Sequence, residues 1–179
     1  MAEGFNKPGK EIDVERLHAE ALGEPGSRRF RLLASIQGET YIVWMEKQQL
    51  QALGLAIEQM LDQLPERGPE LESADVPLEF NTETRQQFRV GRMELGYEEI
   101  GDRIVLSAHD VQEDDEEPQT SLDLRITRNQ ARQLSADAAV IVAAGRPRCP
   151  MCGAPMDPGI HVCPQQNGHL PLREEGPAG

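Results

Sequence analysis

Aromatic side chains are scarce in this chain: they make up 4% of 179 residues, with a single tryptophan. A row of stacking platforms for nucleobases is therefore not expected, and Trp44, Tyr41, Phe30 and Phe88 are the main candidates for one. Apolar residues are also few, at 38%, and none of their runs approaches the roughly 20 residues that a membrane helix needs. Basic residues are outnumbered 18 to 31, which leaves a net charge of −13. Such a field repels phosphate backbones and anionic lipid, so the expected partner is another protein or a small molecule. The opening stretch MAEGFNKPGKEIDVE lacks the apolar core of a signal peptide. A soluble, cytoplasmic protein is the expectation. Three cysteines, all in the last quarter of the chain, make no disulfide framework. Metal ligation fits them better.

What is present is clustered. Phe30, Leu32, Ala34 and Ile36 alternate as one face of a strand; Gln37-Gly38-Glu39 reverses the chain, and Tyr41, Val43 and Met45 alternate again. That pattern predicts a hairpin, with a possible short strand before it at Ile12 to Val14. From Lys47 the period changes to that of a helix, with Leu50, Leu53, Ile57, Met60, Leu61 and Leu64 on one stripe and Pro65 as its stop. Residues 65–84, rich in proline and acid, read as a surface connection. A further strand carries Phe88, Val90, Met93, Leu95 and Tyr97. Its apolar parity flips across Gly91-Arg92, which predicts a β-bulge. Strands follow from Ile104 to about Val111 and over Leu122 to Ile126, separated by the acidic run Glu113 to Glu117. Thr127 and Gln130 form a T-x-x-Q capping box for a second helix with the stripe Ala131, Leu134, Ala138, Ile141 and Val142. Gly145 is placed for a left-handed cap.

The two halves echo each other. A shift of 81 residues carries Tyr41, Val43 and Met45 onto Leu122, Leu124 and Ile126, and Leu53 onto Leu134. The expected fold class is α+β: two strand-hairpin-plus-helix halves, read either as an internal duplication or as a coincidence of common strand–helix junctions, with antiparallel sheets packed together or side by side under two helices, and a C-terminal zinc knuckle. The expected organisation is a first strand–strand–helix half over 1–64, the connection 65–84 and a second half of three strands and a helix over 85–145. The knuckle follows over 146–170, with a disordered tail over 171–179. In topology this resembles the single-stranded nucleic-acid binders of the PUR and Whirly type, although charge and aromatic content oppose that function.

The tail reads GRPRCPMCGAPMDPGIHVCPQQNGHLP. Cys149-Pro-Met-Cys152-Gly is a C-x-x-C-G knuckle whose turn aims two sulfurs at one point, and Cys163-Pro echoes it. Zinc takes four such ligands in a tetrahedron, so Cys149, Cys152, Cys163 and one histidine form a candidate structural site. The fourth ligand is His161 or His169, with spacing slightly favouring His169. Redox pairing of C-x-x-C fits less well, because proline and glycine flank it where a redox motif would open a helix.

Other features carry less chemistry. His109-Asp110 ends a strand beside an acidic loop, and Glu113 to Glu117 lacks the glycine and spaced carboxylates of a calcium loop. Arg28, Arg29 and Arg31 could grip an anion, but alternation turns Arg29 and Arg31 away from Phe30, toward solvent. There is no phosphate loop, dinucleotide fingerprint or nucleophile elbow.

GEPGSRRFRLLA, EKQQLQAL and above all AAGRPRCPMCGAPMDPGIHVCPQQNGH resemble an uncharacterised bacterial family, DUF thirty-ninety, over nearly the whole chain. The family pattern C-P-x-C-G-x-P-x-D-P-x-G-H-x-C-P-x-x-N-G falls on Cys149, Cys152, His161 and Cys163, with Ile160 intervening between Gly159 and His161. The resemblance implies His161 rather than His169 as the fourth ligand and brings no activity with it. A non-enzymatic zinc-binding interaction or adaptor protein is the leading expectation. A PUR-like nucleic-acid binder and a zinc-dependent hydrolase are the alternatives.

Overall fold

The alternating and helical stripes become six strands and two long helices in the computed structural model. It describes residues 13–24, 26–67, 79–84, 86–111, 121–144, 149–154, 156 and 162–167. The order is β1 (Arg16–Leu22), β2 (Arg29–Ile36), β3 (Glu39–Met45), α1 (Lys47–Gln63), β4 (Gln87–Glu98), β5 (Arg103–Asp110), β6 (Ser121–Ile126) and α2 (Arg128–Ala144), then a single turn, α3 (Pro164–Asn167). All six strands form one sheet in sequence order. Neighbours are antiparallel except β3 and β4, which run parallel. The expected α+β class and its two halves are present, their strands side by side in one mostly antiparallel sheet.

Each half is a three-stranded meander followed by a 17-residue helix. The first half gains β1, a strand beyond those its apolar alternation predicts. RLHAEAL is built from good helix formers, and it becomes a strand by pairing along its whole length with β2. In the β2–β3 hairpin Gln37 and Gly38 both take left-handed φ, the geometry that matches the twist of the two strands. The bulge expected at Gly91 is there, as a register shift between Val90 and Arg92.

The 81-residue echo is a structural repeat. The shift superposes the bounds of α1 on those of α2. At the head of α1, Glu46 N–H donates to Gln49 Oε1 at 2.8 Å; at the head of α2, Thr127 N–H donates to Gln130 Oε1 at 2.9 Å. Each glutamine then donates from Nε2 to the other half's first segment, Gln49 to the Val90 carbonyl at 3.3 Å and Gln130 to the Val14 carbonyl at 2.9 Å. The parallel β3–β4 seam has a matching partner too: Asp13 bridges Arg125 of β6 in parallel, and Val14 N–H donates to the Arg125 carbonyl. The sheet thus curls until its two ends meet at that point.

The core fills this curl. Phe30, Leu32, Val43, Val90, Ile104, Leu106, Leu122, Leu124 and Ile126 pack against Leu50, Leu53 and Ile57 of α1 and Ala131, Leu134 and Ala138 of α2. Each large aliphatic buried there contributes roughly 1.5–3 kcal/mol. The helices cross antiparallel at Gly54, whose carbonyl accepts a hydrogen bond from Ser135 Oγ at 2.9 Å. A Cβ at Gly54 would stand 3.1 Å from that of Ala138. On the opposite face of the sheet Leu33 and Ile42 are also buried, and Phe80 stacks on His18, the cross-strand neighbour of Leu33.

Candidate metal centre

The short C-terminal segment brings its three cysteines together. The backbone sets the turn: Cys149 N–H donates to the Ala154 carbonyl at 2.9 Å, and Gly153 N–H donates to the Cys149 carbonyl at 2.8 Å. Gly153 closes the turn with φ +70°, a conformation that side chains resist. Cys163 enters immediately before α3, and Cys149 and Cys163 are buried while Cys152 is half-buried.

The sulfurs of Cys149, Cys152 and Cys163 lie within 4.8 Å of one another, and those of Cys149 and Cys163 are 3.8 Å apart. Two thiolates on a tetrahedral zinc, each at about 2.3 Å, stand about 3.8 Å apart. No disulfide joins the three cysteines, and 3.8 Å is far beyond a sulfur–sulfur bond of about 2.0 Å. Electrostatics favours ligation as well. The N–H groups of Cys152 and Met151 pull the Cys149 thiol down to about 6, against burial and with help from the other two thiols. Cys152 is pulled down by Ala154 N–H but pushed up further by burial and by its two sulfur neighbours, so its thiol is raised. A cation would hold both as thiolates.

His161 and His169 lie outside the described residues, as do Gly145 and the acidic run Glu113 to Glu117. His109 and Asp110 are consecutive on β5, so their side chains leave opposite faces of the strand. Arg31 does face away from Phe30, where it pairs with Glu20, and it stacks with Arg29 on Trp44.

One buried polar cluster has no sequence motif to mark it. Arg128, 5% exposed, opens α2; its Nε donates to Asp102 Oδ1 at 2.9 Å and its Nη1 to the Pro65 carbonyl at 2.7 Å. The Tyr97 hydroxyl donates to the same Asp102 oxygen at 2.7 Å. The ion pair ties the end of α1 to the start of α2 and to the β4–β5 turn. Its members lie far apart in sequence, and the one local signal is an arginine at the first position of an otherwise well-capped helix.

A curled α+β body of two βββα halves, carrying a C-terminal knuckle of three thiols placed to hold a metal ion, defines the class. The chain belongs to the family described as Protein of unknown function (DUF3090), whose model matches residues 12–163. That span takes in both halves, the three cysteines and His161, and stops short of His169. Neither a curated protein nor a solved structure shows significant similarity to the chain.

Proposed function

We propose that the cysteine cluster is a structural zinc site and that the protein is a non-enzymatic interaction module whose knuckle is its docking tip. The observation that carries the reading is the tetrahedral spacing of the Cys149 and Cys163 sulfurs beside Cys152. The fourth ligand is His161, which lies inside the family match, with His169 as the alternative. Four protein ligands leave zinc no position for water, so its contribution is to folding rather than to hydrolysis. A segment this short has little core of its own, and metal binding supplies the free energy that orders it.

The docking role rests on what the knuckle shows to solvent. Met151, between the first two ligands, is 57% exposed, and Val162, next to the third, is 67% exposed. Apolar side chains held outward on a rigid turn suit a partner's apolar pocket. Nucleic-acid binding by aromatic stacking has less support, because the Arg29 guanidinium lies 4.1 Å over the Trp44 ring.

Affinity capture with the wild-type chain and with the double variant Met151→Asp/Val162→Asp tests the docking role. A discrete partner held by the wild type and lost from the variant, with zinc content equal in both, is the expected result. Identical partners for both would sink it. Zinc content of His161→Ala and His169→Ala, measured separately, decides the fourth ligand: loss is expected in the first only.

A further inference from the structure

The two halves differ on the outer face at the parallel seams, where the repeat would match them. In the second half the arginines are neutralised. Arg103 Nε stands 3.3 Å from Asp13 Oδ1, and Arg125 pairs with Asp13 at 3.2 Å and with Glu98 at 2.8 Å. The 81-residue shift carries Trp44 onto Arg125, so the corresponding place in the first half is the seam between β3 and β4, where Trp44 pairs with Arg89.

There the charge is left over. A recess of about 230 Å3 is lined by Arg28, Arg29, Phe30, Trp44, Met45, Glu46 and Arg89. Three guanidinium groups meet one carboxylate. Glu46 is taken by Arg89 at 2.9 Å, an exposed pair that a stronger anion can replace. Among the described residues neither Arg28 nor Arg29 has a carboxylate partner. The wall behind the recess is fixed: Trp44 Nε1 donates to Gln87 Oε1 at 2.9 Å, and Arg29 and Arg31 stack over the indole at 4.1 and 5.3 Å.

We propose that this recess binds the phosphoryl group of a small ligand. Several guanidiniums around one small volume suit a compact anion with three terminal oxygens, which can accept from all of them at once, better than a carboxylate with two. The net charge of −13 acts against a polyanion approaching along an extended surface. It acts little on one group inside the recess, because charges beyond about 8 Å are screened at physiological salt. This site is independent of the knuckle and of its metal.

Trp44 is the chain's single tryptophan, so fluorescence excited selectively at tryptophan, beyond the absorption of Tyr41 and Tyr97, reports on the recess. The full chain is titrated at constant ionic strength with inorganic pyrophosphate, a nucleoside diphosphate, malonate and a single-stranded oligonucleotide. A saturable change with pyrophosphate is expected. Its affinity should fall about tenfold in Arg28→Gln and in the solvent-exposed variant Arg89→Gln, and stay unchanged in Arg92→Gln. Equal affinity for the two phosphate ligands would support free phosphate species as the occupant, and a tighter nucleoside diphosphate would support a phosphorylated organic molecule. A linear response, affinities untouched by Arg28→Gln and Arg89→Gln, or malonate binding as well as pyrophosphate would overturn the assignment. So would an oligonucleotide that binds tighter than either phosphate ligand with a steep salt dependence.

Discussion

Arg128 and Asp102 show how single residues join the elements. Burial opposes ionisation of Asp102, yet the Tyr97 hydroxyl and the Arg128 guanidinium outweigh it and hold the carboxyl below its ordinary value. The unfolded chain therefore takes up this proton first as the pH falls. The stability contributed by the pair is intact above the ordinary aspartate value of about 3.9 and is lost as the pH drops through the lower folded value. Removing one partner of a buried pair strands the other, so Asp102→Asn should cost about 3 kcal/mol at neutral pH. Urea unfolding of both proteins from pH 2 to 8 should show that gap constant above about pH 5 and shrinking below about pH 4. A gap that is unchanged at pH 2 would contradict the assignment. At this scale the sequence reveals only local chemistry. Thr127 and Gln130 announce their capping box because they are three residues apart, whereas Arg128 finds Pro65 and Tyr97 only after the chain has folded.

The elements are held by two kinds of contact: the apolar stripes and the close helix crossing. At Gly54 the space is already filled by Ala138, and Ser135 needs the Gly54 carbonyl. Leucine there would force the helices apart, and Gly54→Leu should lower the unfolding free energy by about 2 kcal/mol, read from the urea midpoint at unchanged slope. Stability equal to wild type would mean that the helices do not pack this closely. Most elements were legible because their apolar residues keep one period: two in β2, β3, β5 and β6, and helical in α1 and α2. Even the bulge in β4 was legible, as a flip of parity. β1 was not, because Leu17, Ala19 and Ala21 are too small a signal among helix-forming neighbours; pairing with β2 decides its conformation.

Over the whole molecule the repeat does more than duplicate a motif. Gln49 and Gln130 each cap their own helix and reach across to the other half, so neither half closes its polar groups alone. The two halves should therefore unfold as one cooperative unit. The faint 81-residue echo was visible in the stripes of apolar residues, but the meeting of Asp13 with Arg125 was not, since nothing local marks a contact between the ends of a sheet. The symmetry is broken at the outer seams: at one, Arg103 and Arg125 pair with acids, and at the other, Arg28 and Arg29 line a recess with no carboxylate partner among the described residues. The knuckle lies outside the repeat. Its cysteines were legible from spacing because a thiol turn is a local device, whereas the choice between His161 and His169 depends on how the intervening chain runs.

Metal analysis of the purified chain, prepared without added metal, tests the central claim most directly. The wild type should carry about one zinc per chain, and Cys152→Ser, which removes one of the three clustered thiols, should carry almost none. A wild-type chain free of zinc, or a Cys152→Ser chain that retains it in full, would contradict the zinc site.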